Sequence, residues 1–372
     1  MNTVYHQILK KRIIQNHQKQ LRTLFWQYPP SLLNFSSTDF LNLTKHPFVK
    51  EKAIDYALHW GNGSYSLRHL ADYEKKLIET EKNLASLLSM PTAILLESNP
   101  FLFSYIIQSL IVPKTLILKS HSFSIPIKGP VHTQSFNPKD LDHLRNLLES
   151  VEGKQYNNIL ILVDSLSTHS KEKQTLKTIG ELSKEFKATL VVDDSLSLGV
   201  LGAYGMGLSS RVYGCDVILG SFGKTFSSYA SYIACSKELK TFLGFQNPII
   251  HNFSPLPPFF LGLIDASLSL IPSMTLERTK LLNHSNKFQL HLKKQRWKIQ
   301  NTQTHIITFF FDSLFEANKV KNHLTDHQCI PFIPSAPLQI EFRLNLSHSD
   351  QSLTQLLTIL KSYRPLSKHQ TL

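Results

Sequence analysis

Four short apolar runs, spaced by helix-like stretches, limit what this chain can fold into more than any other feature. "NNILILVDSL" (157–166) is apolar without alternation and bounded by polar residues, the pattern of a strand covered on both faces. "TLILKS" (115–120), "ATLVVDDS" (188–195) and "DVILGSF" (216–222) read the same way. Between them, "PKDLDHLRNLLESVE" (138–152) has helical spacing with Asn137 as its cap, and a second helix is expected from about Lys173 to Phe186. Strand, helix, strand in this rhythm demands right-handed crossovers and a mostly parallel sheet layered with helices. Ligands of such sheets gather at the carboxyl ends of the strands.

The rest of the chain divides around this core. "THIITFFFD" (304–312), a helix near 315–325, "LQIEFRLNL" (338–346) and a last helix from Asp350 predict a smaller α+β lobe. A long helical stretch near 259–297, broken at Pro272, joins the two. The expected division is 1–45 as an N-terminal helix and arm, 46–270 as the large domain, and 271–372 as linking helix and small domain. Val4, Ile8, Leu9 and Ile13 favour an ordinary helix over a transit peptide at the start.

Net charge is +13, but the basic residues are scattered without interleaved aromatics, so the expected partner is a phosphate-rich small molecule and not nucleic acid. No apolar run is long enough to span a membrane. Cys215, Cys235 and Cys329 have neither disulfide nor metal spacing, which points to a cytoplasmic chain with buried thiols and no metal.

One lysine stands out. In "GSFGKTFSSYASYIACS" (220–236), Lys224 follows an apolar run in a segment almost free of other charge. Asp193 ends another such run, so parallel strands place a carboxylate and an amine at one sheet edge. That pairing suits pyridoxal phosphate: the lysine attaches the cofactor covalently, and the aspartate keeps the pyridine nitrogen protonated. A lysine in an apolar setting loses proton affinity and becomes a usable nucleophile.

Here the chain resembles a known family. "TLVVDDSLSLGVLGAYGMG" and "DVILGSFGKTFSSYASYIACS" look like segments of the α-oxoamine synthases. "NFSSTDFLNLTKHP", "WGNGSYSLRHLADYEKKLIE", "FSPLPP" and "IEFRLNLS" continue the likeness in order, from about Asn34 to Ser347. The resemblance implies a fold-type-I pyridoxal phosphate architecture and an acyltransferase activity. An amino acid, L-alanine with glycine as the alternative, would condense with an acyl-CoA or acyl-carrier thioester and lose carbon dioxide. It also implies a homodimer. Carried over by position, Lys224 holds the cofactor, Asp193 pairs with its nitrogen, and Ser221 and Asn99 contact it. Ser254 reaches the phosphate in the neighbouring subunit. Arg343 holds the amino-acid carboxylate, and Arg68 lies in the substrate loop.

Several positions depart from the pattern. Leu196 stands where the family has a histidine on the cofactor's ring oxygen. Phe123 stands where another histidine stacks on the ring, with His121 two residues away. Asn99 and Pro100 replace the glycine and aromatic residue of a phosphate turn, and proline offers no N–H. Tyr65 and Leu67 fill a loop that is otherwise glycine-rich. Four departures in one site make a catalytically degenerate relative the second alternative.

Overall fold

The computed structural model describes residues 32–63, 70–99, 101–151, 156–169, 175–246, 255–300, 302–334 and 338–363. The expected N-terminal helix, Tyr65, Leu67, Arg68, Pro100 and Ser254 lie outside them. In chain order the strands are β1 (Leu33–Phe35), β2 (Thr92–Glu97), β3 (Thr115–Ser120), β4 (His132–Phe136), β5 (Asn158–Asp164) and β6 (Thr189–Asp193). They continue with β7 (Cys215–Ser221), β8 (Ala230–Cys235), β9 (Ile306–Phe310), β10 (Cys329–Pro331) and β11 (Gln339–Arg343).

β2 to β8 form one seven-stranded sheet in the order β2-β8-β7-β6-β5-β3-β4. β8 runs antiparallel to both neighbours, and every other pair is parallel. The continuous apolar run of β5 explains its central place. Leu160 and Leu162 enter one apolar cluster while Ile161 and Val163 enter another on the opposite face. A period of two divides the run between the two faces, and all four side chains are fully buried.

Helices Leu141–Val151 and Thr175–Glu185 cover one face, and Leu102–Ser109 covers the other. The first of these starts differently from expectation. Asp140 receives the His143 N–H at 3.0 Å, whereas Asn137 turns the chain upstream by accepting from Lys139 N–H at 3.1 Å. The helical stretch after the sheet is Pro258–Leu270, extended by a short 3-10 turn Ile271–Ser273 that contains Pro272, followed by Thr275–Lys294, with a 75° bend between Ser273 and Thr275. No single helix among the described residues is long and apolar enough to cross a membrane.

Two small sheets complete the structure. β9 and β11 pair antiparallel with Arg343 opposite Ile306. β1 pairs parallel with β10, so the arm near the amino terminus is built into the late part of the chain. Phe35 anchors it, stacked on His348 at 4.1 Å and edge-on to Phe342 at 5.8 Å.

Candidate active site

β5, β6 and β7 end side by side, so Asp164, Asp193 and Ser221 reach the same edge of the sheet. The chain immediately after β6 fixes the Asp193 carboxylate. Ser195 donates to its Oδ1 from the backbone N–H at 3.0 Å and from the hydroxyl at 2.6 Å. The Ser195 hydroxyl accepts in turn from the Ser221 N–H at 3.1 Å, linking the ends of β6 and β7. Oδ2 has no hydrogen bond among the described residues, which leaves one oxygen for an incoming N–H. Burial raises the Asp193 carboxyl to about 6, with the charges of Asp164 and Asp194 adding to it and the Ser195 bonds opposing.

Asp194 faces the other way and is fully buried. Ser165, Ser197 and Ser209 hydroxyls donate to it, together with the N–H groups of Leu208 and Ser209. Gly207 makes room for this cage. A Cβ there would lie 2.1 Å from Asp194 Oδ2, and its φ of +91° is one that side-chain-bearing residues rarely adopt.

Lys224 lies three residues past β7 in a tight turn, where Ser227 donates its N–H to the Lys224 carbonyl at 3.0 Å and takes φ +52°. The lysine is half-buried. Burial lowers its pKa, the Arg343 charge lowers it further, and Asp193 raises it. A cavity of about 400 Å³ opens beside it, lined by Ser37, Thr38 and Asp39 of the arm and by Tyr229 and Phe260 opposite. Arg343, on β11, is 6% exposed and donates from Nε and Nη2 to Glu341 Oε2 at 3.2 and 3.0 Å. Its guanidinium lies 3.3 Å from the centre of the Phe332 ring.

The structure thus brings Lys224, Asp193, Ser221 and Arg343 into one region. Other candidates are placed differently. Phe123 is only 2% exposed and sits in the apolar cluster beneath the sheet, so it offers no open ring face, whereas His121 is exposed. Asn99 is not left-handed. Its side chain accepts the Phe101 N–H at 2.8 Å and its carbonyl the Leu102 N–H at 3.0 Å, at the start of helix Leu102–Ser109. Leu196 is partly buried and packs on the main core.

Sequence reasoning missed Ser195, Glu341, Asp164 and His305. Asp164 Oδ2 is buried and has no partner among the described residues, one strand from Asp193. His305 is fully buried, edge-on to Phe40 at 4.1 Å, with neither ring nitrogen bonded among the described residues. Burial, then the charges of Arg343 and His169, push it down to about 3.

An amine whose proton affinity is lowered by burial, in the same region as a carboxylate that is fixed through one oxygen only, at the carboxyl edge of a mostly parallel sheet, defines a class. The chain belongs to the aminotransferase class I and II family, which it matches over residues 115–360, a family of pyridoxal phosphate enzymes. Among curated proteins it is similar to the 8-amino-7-oxononanoate synthase of Gluconacetobacter diazotrophicus, 25% identical over 354 residues, covering 89% of this chain and 87% of that protein. Two solved structures share its fold. The 8-amino-7-oxononanoate synthase of Francisella tularensis has a TM-score of 0.76 at 18% identity, covering 90% of this chain and 98% of that one. A PLP-bound serine palmitoyltransferase from S. paucimobilis has a TM-score of 0.78 at 15% identity, covering 89% and 87%.

The residues present fit the cofactor at its reactive end. Lys224 would supply the amine, Asp193 Oδ2 the acceptor, and Ser221 a hydroxyl, which here accepts the Gly223 N–H at 3.2 Å. The phosphate end is less well provided for, because the Asn99 side chain takes up the Phe101 N–H.

Proposed function

We propose that this protein is a cytoplasmic pyridoxal phosphate-dependent acyltransferase that condenses L-alanine with an acyl thioester, on CoA or a carrier protein, and releases carbon dioxide. This is the 8-amino-7-oxononanoate synthase reaction of biotin biosynthesis. The observation that carries the reading is Lys224 beside Asp193 at the sheet edge. The family match and the relatives' names support it.

Pyridoxal phosphate, when bound, supplies an electron sink for the amino acid's α-carbon. The chain's own residues do the rest. Asp193 Oδ2 holds the proton on the ring nitrogen and so maintains that sink. Lys224 Nζ, its proton affinity lowered by burial, holds the cofactor and then takes the α-proton as general base. Arg343 holds the substrate carboxylate through its planar fork. Ser221 would contact the ring, and Asn99 would hold the phosphate end. His121 is the exposed ring available for stacking, since Phe123 is committed to the core. The active form is a homodimer in which Ser254 and the Arg68 loop serve the partner's site.

The test is a spectrum of the purified protein with pyridoxal phosphate, before and after L-alanine, followed by borohydride reduction and peptide mapping. Cofactor fixed on Lys224, a spectral change with alanine, and carbon dioxide release only with an acyl thioester are expected. Label on another lysine overturns the assignment, and faster turnover with glycine moves the reading to 2-amino-3-ketobutyrate formation.

A further inference from the structure

We propose that Glu341 sets which amino acids this site accepts: it seats the Arg343 guanidinium and excludes substrates that carry a second negative charge. The inference rests on the reading of Arg343 as the carboxylate holder.

Glu341 and Arg343 are two apart on β11 and so project from the same face of the strand. One oxygen of Glu341, Oε2, receives both Nε and Nη2, which fixes the guanidinium by its side edge. Phe332 closes the face below it. Two reciprocal backbone bonds of 2.9 Å, Phe332 N–H to Glu341 and Glu341 N–H to Phe332, tie seat and floor together. Nη1 makes no hydrogen bond among the described residues, so the end edge of the fork stays available to one carboxylate.

The charge balance then decides selectivity. Arg343 and Glu341 together are neutral and almost buried, with side chains 8% and 16% exposed. An α-carboxylate meets the free edge of the fork. Among the described residues the further cation coupled to Arg343 is Lys224, which in the proposed function is committed to the cofactor. A side-chain carboxylate approaching the pair therefore meets the Glu341 charge, a repulsion little screened at such burial. Rejection of acidic amino acids is built from a repulsive element, not from lack of room.

Calorimetric titration of the holoenzyme with L-alanine, L-aspartate and L-asparagine tests this. In the wild type, L-asparagine, which has the same shape without the charge, should bind about tenfold more tightly than L-aspartate. Glu341→Gln keeps an acceptor for Nε and Nη2 but removes the charge. Its affinity for L-alanine should stay within about threefold while that for L-aspartate rises about tenfold. Glu341→Ala removes the seat and should weaken L-alanine about tenfold. Because it also strips a nearly buried guanidinium of its partner, its melting temperature should fall, whereas Glu341→Gln, which keeps an acceptor, is the variant that carries the test. Equal binding of aspartate and asparagine by the wild type, or an unchanged alanine-to-aspartate ratio in folded Glu341→Gln, overturns the inference while alanine binding stays intact. A wild type that binds no amino acid overturns the reading of the site and this inference with it.

Discussion

In the proposed site, Asp193 should carry the pH dependence of cofactor binding. Burial raises its carboxyl from 3.8 to about 6, so without a cationic partner the folded protein retains a proton that the unfolded chain has lost. The stability contributed by this neutral form is present at low pH and is lost as pH rises through that window. A protonated ring nitrogen reverses the preference, because it needs the ionised carboxylate. Cofactor affinity should therefore rise between pH about 4 and about 6 and level off above, relative to Asp193→Asn, which should be weaker throughout and lack this step. Titrations of both proteins across that range decide it, and parallel curves would refute the role. The placement of Asp193 and Lys224 at one sheet edge was legible in the sequence because Asp193 ends an apolar run and Lys224 comes three residues after another. Ser195 and Glu341 were not, since their importance lies in which oxygen a hydroxyl or a guanidinium selects. The burial of Phe123 was not legible either: an aromatic residue at a register position does not reveal how much of its ring the neighbouring apolar side chains cover.

At the scale of elements, the loop between β6 and β7 is held by the serine cage around Asp194, and Gly207 is its weakest point. Gly207→Ala adds a methyl group against Asp194 Oδ2 and an unfavourable φ. It should cost about 2–4 kcal/mol by urea unfolding. Gly63→Ala has no such contact and no positive φ, and should stay within about 0.5 kcal/mol. Comparable losses in the two variants would show that the cage does not hold the loop. Helices Leu141–Val151 and Thr175–Glu185 were readable from their spacing, and the central parallel strands from their unbroken apolar runs. β4 was not, because "HTQSF" at the sheet edge is largely exposed and has no apolar signal to offer. β2, "TAILLE", has four buried residues in sequence but is too short for periodicity to separate strand from helix.

For the whole molecule, the outer surface of one chain carries unusual apolar exposure. Leu58 is 82% exposed and Ile54 51% on helix Pro47–Trp60, with Phe101 at 54% and Tyr229 at 57%. Ile54 and Leu58, four residues apart on one helix, give it an exposed apolar stripe that suits association with a second copy. Light scattering should give a mass near twice 42.5 kDa, and charged substitutions at Ile54 and Leu58 should lower it. A stable monomer that binds cofactor would argue against the dimer.

The pairing of β1 with β10 also orders events during synthesis. A nascent chain that has reached Cys235 holds every strand of the seven-stranded sheet, yet nothing for Leu33–Phe35 to pair with. The arm leaves the ribosome early and waits, while a sheet of short and medium-range crossovers can assemble ahead of it. Because Ser37, Thr38 and Asp39 of that arm line the cavity beside Lys224, the catalytic pocket is closed last, only after β10 has been made. A chain cut short before Cys329 therefore keeps Lys224 but never completes the wall of the cavity beside it.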